Sequence, residues 1–465
     1  MENENRIRVA FVPLKSTFIG LPRALLFNML FRDAYGGKIV LRIDDTDEVR
    51  AQPERLKVVF DTLRWLGINW DEGPDVGGPY APYIQSERRN SYLDETLRLI
   101  NANRAYRCFC KQSDDVHGCT GKCKEYKKLE IERRLSEGQT YCIRYNINNE
   151  TESYYDLIHG EIQKELREIS DPVIVRTDGS PTFHLATAVD EGALQITHII
   201  RGVDHIESAF IQRQIMSDLG TALPQYAHFS IYENDGSSIY ADNLKGKYDV
   251  ECLRKDGFLS GAIVNFLITS GYMPKGVDDC SLYAYSDFLK SFDLKNFSRS
   301  NQRYDFDRLI SINRKWIKSL SEERYLSEIN EYFGFVNYNS QVSIQLLLVL
   351  KNHVDTLGDI IRKIDILFDE SETAVGAIYN EFGAEIIVLK MILDECIKCG
   401  TWNQHELKNV VINCASVFGK KRCYEALRFA LTYKEPFGSI LEIAEALGRE
   451  KTISKLTKIL EYKKE

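Results

Sequence analysis

The 465-residue sequence contains no uninterrupted apolar run of the length, about eighteen residues, that a membrane-spanning helix needs. Its first residues, MENENRIRV, lack the basic and then apolar segments of a secretory signal. Only 11 prolines are present, and no stretch has the biased composition of a fibrous or disordered protein. We therefore predict a globular, cytoplasmic protein without a membrane partner.

Neither sign of charge dominates, since 60 basic and 68 acidic side chains give a net charge of −8. This balance disfavours a protein whose whole surface binds nucleic acid, but it leaves room for a local basic face. The 11 cysteines, in a chain without a secretory signal, indicate reduced thiols and one metal site rather than a disulfide framework.

The chain is too long for one compact core, and its hydrophobic pattern changes along its length. Residues 6–12 and the segment KIVLRID predict two strands around an apolar helix, a βαβ unit with ligands at the carboxyl ends of the strands. Residues 104–187 interrupt this pattern, which returns with THIIRGVDH, and helical periodicity dominates from Asp249 onward. The sequence predicts a split α/β domain with an insertion, followed by an all-helical half.

Two closely spaced cysteine pairs lie in the predicted insertion. Cys108 and Cys110 precede Cys119 and Cys123, and this spacing suits one tetrahedral site of four thiolates around Zn²⁺. The alternative is a site with three of these ligands and one spectator thiol.

Three arginines, Arg8, Arg42 and Arg201, each lie beside a predicted strand. Arginine at such a position can hold a carboxylate or phosphate with two parallel hydrogen bonds. A structural ion pair is an equally open interpretation for each of them.

Several longer segments, in order along almost the whole chain, resemble glutamyl-tRNA synthetases, which are class I aminoacyl-tRNA synthetases. LRIDDTD resembles the LRIEDTD of that family, and close matches also occur at RWLGINWDEGPDVGGPYAPYIQSER and DGSPTFHLATAVDEGALQITHIIRGVDH. Further matches are RYDFDRLISINRKWI, ALRFALT and IAEALGREKTISKL.

The resemblance implies an α/β Rossmann-like catalytic domain with an insertion, followed by an all-α anticodon-binding region. The catalytic domain is expected at 1–103 and 188–248, and the insertion, which binds the tRNA acceptor stem and carries the zinc site, at 104–187. A helical stem-contact region is expected at 249–320, and the anticodon-binding domain at 321–465.

The resemblance also implies a reaction and its partners. The family forms glutamyl-adenylate from L-glutamate and ATP with Mg²⁺, and it then transfers the acyl group to the 3′ end of a glutamate-type tRNA. Structural Zn²⁺ in the insertion and a monomeric state are expected as well. Catalysis in such an enzyme consists of positioning and of electrostatic stabilisation of the phosphate charge.

The first ATP-binding motif of the family, of the His-Ile-Gly-His type, aligns with this chain without a gap. The residues that shape the backbone of this turn are retained, including Pro13. A helix N-terminus follows the turn, and such termini can bind anions. The preceding Ser is replaced by Val12 and the Gly of the turn by Lys15, and neither Val12 nor a Phe in place of His can donate a hydrogen bond. The four motif positions hold Phe18, Ile19, Gly20 and Leu21.

The second ATP-binding motif, a loop resembling Lys-Leu-Ser-Lys-Arg, is expected within SSIYADNLKGKYDV. Counted forward from Asp235, its lysine positions hold Ser238 and Ala241. Counted backward, one holds an Asn. Lys245 and Lys247 are the nearby lysines that could take over after refolding of the loop.

The amino-acid pocket implied by the resemblance is altered at some positions and retained at others. The usual Glu, Tyr and Asn are replaced by Asp44, Phe183 and Thr187, whereas Arg8 and Arg201 are kept to clamp a glutamate carboxylate. The complete set of expected substrate-binding positions is Arg8, Ala10, Val12, Asp44, Phe183, Thr187, Arg201 and Asp204.

Two functions follow as hypotheses. Loss of one preorganised donor costs about 10²–10³ in rate, so loss of a His and up to two lysines predicts activity lower by about 10⁴-fold or more. The first hypothesis is a glutamate–tRNA ligase with impaired activity. The alternative is a catalytically inactive paralogue that still binds tRNA.

Overall fold

The computed structural model describes residues 4–46, 51–110, 122–147, 151–166, 169–234, 237–238, 246–274, 278, 281–339, 342–382, 385–433, 435 and 437–462. The chain forms two compact units. The first unit comprises Met1–Cys252 and Ile263–Phe306, and the second comprises Leu253–Ala262 and Asp307–Glu465.

All described strands belong to the first unit. They are β1 Arg6–Phe11, β2 Lys38–Ile43, β3 Ala105–Cys108, β4 Cys142–Tyr145, β5 Thr151–Asp156, β6 Gly160–Glu165, β7 Val173–Val175, β8 His198–Gly202, β9 Gln225–Phe229, β10 Glu233–Asn234 and β11 Ser237–Ser238.

The helices up to residue 289 are α1 Gly20–Tyr35, α2 Leu56–Trp65, α3 Arg89–Asn101, α4 Lys128–Ser136, α5 Phe183–Ala193, α6 Ile206–Asp218, α7 Val250–Lys255, α8 Ser260–Thr269 and α9 Tyr285–Leu289. The later helices are α10 Phe306–Ser319, α11 Glu322–Phe335, α12 Ile344–Leu350, α13 Leu357–Phe368, α14 Glu372–Phe382, α15 Ile386–Lys398, α16 Gln404–Phe418, α17 Lys420–Thr432, α18 Ile440–Leu447 and α19 Arg449–Glu461.

The main sheet has the strand order β2-β1-β8-β9-β5-β6. The strands β2, β1, β8 and β9 run parallel, β5 joins β9 in parallel, and β6 is antiparallel to β5. The central strands are mostly apolar because both faces of a parallel sheet are covered, and β2 is buried at every residue except Lys38. The helix α1 connects β1 to β2, as the βαβ pattern predicted.

A second sheet, β3-β4-β7, is antiparallel and lies within the range predicted for the insertion. Its core is shared with α5 and α6 through Tyr145, Ile174, Leu185 and Ile215. Residues 151–165 fall in the same predicted range, yet they form β5 and β6 of the main sheet. The part of the chain between β2 and β8 therefore contributes to both sheets, and the domain boundaries given above stay predictions.

The second unit is built from helices, and side chains cap the starts of four of them. Ser321, Ser343, Thr356 and Asn403 each precede a helix and accept a hydrogen bond from a backbone N–H of its first turn. The predicted class, a Rossmann-like α/β domain followed by an all-α region, is confirmed.

A buried cation donates hydrogen bonds to carbonyl oxygens at the ends of two helices in this unit. The Lys455 ammonium donates to the carbonyl oxygens of Ile366, Leu367 and Leu431 at 2.6, 3.1 and 3.1 Å. These oxygens lie in the last turns of α13 and α17, where backbone carbonyls have no partner in their own helix. Among the described residues, none of the helices combines the length and apolarity needed to cross a bilayer.

Candidate active site

The candidate site lies at one edge of the main sheet, where its parallel strands end. β1, β2 and β8 end at Phe11, Ile43 and Gly202. The carboxyl ends of parallel strands are where α/β folds bind ligands. The turn of residues 12–19, the carboxylate of Asp44 and the segment after β8 therefore meet at this edge.

The turn at residues 12–19 ends in helix α1, which begins at Gly20 without a side-chain cap. The N–H of Leu21 donates to the Phe18 carbonyl, and the N–H of Arg23 donates to the Ile19 carbonyl. Pro22 has no N–H, so among the described residues Gly20 is the member of this first turn whose N–H has no acceptor and remains for an anion. The helix N-terminus expected from sequence is present, but it offers few donors.

The same turn is hydrogen-bonded to residues 248–250, at the end of the segment in which the second ATP-binding motif is expected. The N–H of Ile19 donates to the Tyr248 carbonyl at 3.1 Å, and the N–H of Val250 donates to the Thr17 carbonyl at 3.0 Å. Phe18 forms a β-bridge with Asp249 between these two bonds. The structure thus brings together the two segments that the resemblance assigned to ATP binding.

The residues predicted for the second motif are described in part. Lys247 is exposed, and its ammonium lies 5.3 Å from the centre of the Tyr248 ring. Ser238 belongs to β11, which pairs with β10. Ala241 and Lys245 lie outside the described residues.

Arg42 is the centre of a buried charge cluster. It is fully buried and forms two hydrogen bonds with Asp44, at 2.6 and 3.0 Å. Its Nη1 lies 3.5 Å from Asp190 and 3.4 Å from Glu191, and its Nη2 donates to the Thr187 hydroxyl at 3.4 Å. Burial opposes the charge of Arg42, but the three carboxylates outweigh burial and raise its pKa.

Arg8 joins this cluster from strand β1. Its Nε donates to Glu191 Oε1 at 2.8 Å. Its Nη2 lies 2.8 Å from the same oxygen but makes no hydrogen bond in the described part of the chain. Arg8 therefore keeps donor capacity for a further acceptor.

Arg201 differs from the other two arginines because its partners are neutral. Its Nε, Nη1 and Nη2 donate to His228 Nε2 at 3.2 Å, Gln212 Oε1 at 3.1 Å and the His205 carbonyl at 3.0 Å. In the described part of the chain none of its hydrogen bonds or ion pairs involves a carboxylate. Burial first, and then the nearby charge of Arg8, lower the pKa of Arg201 to about 10.

The remaining predicted pocket residues occupy different places around these arginines. Thr187 is fully buried against Arg42, and the Phe183 ring centre lies 5.6 Å from that of His205. Ala10 is half-buried and stands opposite Arg42 in the pairing of β1 with β2. Val12 is half-buried in the turn, whereas Asp204 is exposed.

Four buried residues of the site were missed by the sequence reasoning. Asp190 and Glu191 lie on α5, and Asp156 and His228 lie on β5 and β9. The signal for the first two was present, because an acidic pair inside an otherwise apolar helix indicates a buried charge. Nothing in the local pattern links Asp156 to His228, since their contact depends on strand pairing.

Acidification is expected to destabilise the first unit through His228. Burial lowers the pKa of His228 to about 4, and the charge of Arg201 adds to this effect against the hydrogen bond to Asp156. The unfolded chain then binds more protons between pH 6.5 and 4, so the free energy of unfolding falls by about 3 kcal/mol as pH decreases through this window. Denaturant unfolding at several pH values checks this result.

The matched variant is His228→Gln, which cannot titrate in this range. Its loss of unfolding free energy between pH 6.5 and 4 should be smaller than that of the unmodified protein by about 3 kcal/mol. Equal losses in the two proteins would contradict the assignment of His228 as a neutral buried imidazole.

A second cluster, of thiols, lies in the insertion. The Sγ atoms of Cys108, Cys110 and Cys123 all lie within 4.8 Å of one another. Cys119 lies outside the described residues. Three converging thiols fit the ligand set of Zn²⁺. Cys142 was not predicted, yet it contacts Cys108 across the β3–β4 pair, and this hydrogen bond together with burial raises its pKa.

Comparisons with known proteins agree with this geometry. Residues 6–310 match the family described as tRNA synthetases class I (E and Q), catalytic domain, and residues 308–460 match the anticodon binding domain. A glutamate–tRNA ligase of Sulfurihydrogenibium sp. is 29% identical, covering 98% of this chain and 99% of its own. Glutamate–tRNA ligase 2 of Caldicellulosiruptor saccharolyticus is 27% identical, covering 98% of each chain.

The fold has a solved counterpart as well. It is similar to a glutamate tRNA ligase from Elizabethkingia meningosepticum, crystallised in complex with its amino acid, with a TM-score of 0.80, 23% identity and 99% of both chains covered. Because the catalytic-domain match spans more than half of the sequence, the chain belongs to the class I tRNA synthetases of the glutamate and glutamine group.

Proposed function

We propose that this protein binds L-glutamate at Arg8 and Arg201 and acts as a glutamate–tRNA ligase with reduced activity. The observation that carries the proposal is the state of Arg201, a buried guanidinium whose hydrogen bonds go only to neutral acceptors in the described part of the chain. Burying such a charge is costly without a counter-charge. A substrate carboxylate supplies that counter-charge.

The arrangement of the other groups suits the same ligand. In the described part of the chain, Arg8 Nη2 donates no hydrogen bond, so it is available to a ligand. Glu191, the ion-pair partner of Arg8, also contacts Arg42. The carboxylate of Asp44, which Arg42 holds in place, lies at the end of β2, where the family has a Glu. In this proposal, the two arginines bind and orient the amino acid so that its reacting carboxylate faces the turn of residues 12–19.

Reduced activity follows from the ATP side of the site. The family reaction needs donors to phosphate oxygens, with Mg²⁺ neutralising part of the phosphate charge. Phe18 and Val12 have no hydrogen-bonding side-chain atoms. In the part of the chain that the structure describes, the first turn of α1 offers an anion the N–H of Gly20. Lys247 is the lysine of the second motif segment that the structure describes. We therefore expect amino-acid binding to be retained better than adenylate formation.

The test is glutamate- and tRNA-dependent exchange of pyrophosphate into ATP, measured with purified protein and total tRNA. We expect exchange about 10⁴-fold below that of an ordinary synthetase. A gel shift with the same tRNA measures binding separately. Exchange within about 10-fold of an ordinary synthetase would remove the claim of reduced activity.

The alternative function is that of an inactive paralogue that binds tRNA. The observation that favours it is the coincident loss of both ATP motifs, with Phe18 in place of the motif His. Background exchange together with a tRNA complex that survives in the gel would support this alternative over the ligase.

Zinc is proposed as a structural component held by Cys108, Cys110 and Cys123, with Cys119 as the fourth ligand expected from sequence. Tetrahedral thiolate sites supply folding energy to small sheets that have little core of their own. Bound in this way, the ion would tie β3 to the segment that precedes α4.

Metal analysis of protein purified without chelators is expected to give one zinc ion per chain. Cys108→Ala combined with Cys123→Ala should remove it, because two of the converging thiols are lost. The matched control is Cys396→Ala combined with Cys414→Ala, since these thiols are also buried and free but lie in the second unit. Zinc that persists in the first double variant, or is absent from the unmodified protein, would contradict the site.

A further inference from the structure

A buried chain of three side chains leads from strand β5 to the arginine of the candidate pocket. His228 Nδ1 lies 2.7 Å from Asp156 Oδ2, and both side chains are fully buried. On the other side of the imidazole ring, Arg201 Nε donates to His228 Nε2 at 3.2 Å. None of these contacts was expected from sequence, and Asp156 and His228 have no assigned role in the function proposed above.

The carboxylate of Asp156 determines which nitrogen of His228 carries the proton. Asp156 Oδ1 accepts the backbone N–H groups of Ile158 and His159, both at 2.9 Å, and Oδ2 accepts the backbone N–H of His228 at 3.0 Å. A carboxylate with three backbone donors is held in its charged, accepting form. The proton of the ring must therefore lie on Nδ1, and Nε2 presents a lone pair to Arg201.

The lone pair at Nε2 completes the set of acceptors around Arg201. The guanidinium has five N–H groups, of which one each on Nε, Nη1 and Nη2 is used by His228, Gln212 and the His205 carbonyl. One N–H therefore remains on each terminal nitrogen, as far as the described residues show. These two groups are sufficient for a carboxylate that accepts two hydrogen bonds.

We propose that Asp156 and His228 are positioning residues, which set the orientation of Arg201 for the side-chain carboxylate of the amino-acid substrate. The inference rests on the proposed glutamate pocket and adds the two residues that prepare it. A neutral acceptor is suited to this role, because a carboxylate at the position of His228 would pair with Arg201 and compete with the substrate. Preorientation also reduces the entropy that a long side chain loses when the ligand binds.

Two substitutions of His228 separate positioning from simple packing. In His228→Gln, the side-chain oxygen reaches the place of Nε2 and can still accept from Arg201. In His228→Asn, the shorter amide can still donate to Asp156 but leaves Arg201 Nε without an acceptor. His228→Asn lacks one methylene that His228→Gln keeps, so its thermal midpoint should fall further, and binding is compared well below both midpoints.

The measurements are calorimetric titrations with L-glutamate and with L-glutamine, together with the thermal midpoint of each variant. We expect His228→Asn to weaken L-glutamate binding by about tenfold and to reduce the preference for L-glutamate over L-glutamine, while His228→Gln stays within about threefold of the unmodified protein. Equal weakening in both variants, or unchanged binding in His228→Asn, would overturn the positioning role.

Arg201→Gln distinguishes this inference from the proposed function. If the unmodified protein does not bind L-glutamate, or if Arg201→Gln binds it normally, the glutamate pocket itself is wrong. If Arg201→Gln loses binding and His228→Asn does not, the pocket stands and the positioning role of Asp156 and His228 fails. If both lose binding and His228→Gln retains it, both the pocket and the positioning role are supported.

Discussion

Arg201→Gln is expected to abolish measurable binding of L-glutamate without destabilising the protein. Truncating one partner of a buried, hydrogen-bonded charge pair costs about 2–5 kcal/mol, which corresponds to a loss of affinity of about 30-fold to several thousand-fold. The free protein should lose little, because burial of Arg201 lowers its pKa to about 10 and thus disfavours its charge when no ligand is bound. We expect the thermal midpoint to stay constant or to rise, and calorimetry with a thermal scan checks both results.

The matched control is Arg6→Gln, on the same strand and face as Arg8. Arg6 is also buried, but it is paired with Glu72 at 2.6 and 2.9 Å. Its loss leaves Glu72 without its ion-pair partner, so the expected result is the opposite one, with a lower thermal midpoint and unchanged L-glutamate affinity. Normal binding in Arg201→Gln would contradict the carboxylate site.

Arg42→Met is expected to have the largest effect on stability. Arg42 is fully buried and contacts Asp44, Asp190 and Glu191, so its removal leaves three buried carboxylates with fewer counter-charges. Breaking such a buried ion pair costs about 3–5 kcal/mol. For a unit of this size the thermal midpoint should fall by about 5–15 °C, as measured by calorimetric scanning.

An exposed arginine of the same unit provides the comparison. Arg98 lies on α3, pairs with Glu95 at 2.7 Å, and has 60% of its side chain exposed. Because exposed ion pairs contribute about 1 kcal/mol or less, Arg98→Met should move the midpoint by a few degrees at most. Similar shifts in the two variants would show that the Arg42 cluster is not the stabilising centre described above.

Much of the first unit could be predicted from local pattern. The apolar runs of β1 and β2 around an apolar helix predicted the βαβ unit. Arg201 lies one residue before the end of β8, whereas Arg8 lies inside β1 rather than beside it. The three described cysteines of the predicted zinc site converge as their spacing indicated. These features depend on residues close together in sequence or on a known family pattern.

Other features could not be predicted, because they depend on contacts between distant segments. Whether Arg8, Arg42 and Arg201 form structural ion pairs or bind a ligand was open in the sequence. The answer depends on Glu191, which pairs with Arg8 and Arg42 and makes no ion pair with Arg201. The resemblance assigned the turn of residues 12–19 and the segment before Asp249 to one ATP site, but the backbone pairing of Phe18 with Asp249 could not be predicted from either segment.

The order of the strands has a consequence for the synthesis of the chain. β1 pairs with β2 soon after both are made, but its other edge pairs with β8, and the hydrogen bond from the Arg6 N–H to Thr197 spans 191 residues. At a synthesis rate of about 5–20 residues per second, this edge of β1 stays unpaired for about 10–40 s before β8 has been made. An unpaired strand edge beside the apolar helix α1 is prone to aggregate during this time. We therefore expect the nascent chain to need chaperone protection until β8 has emerged.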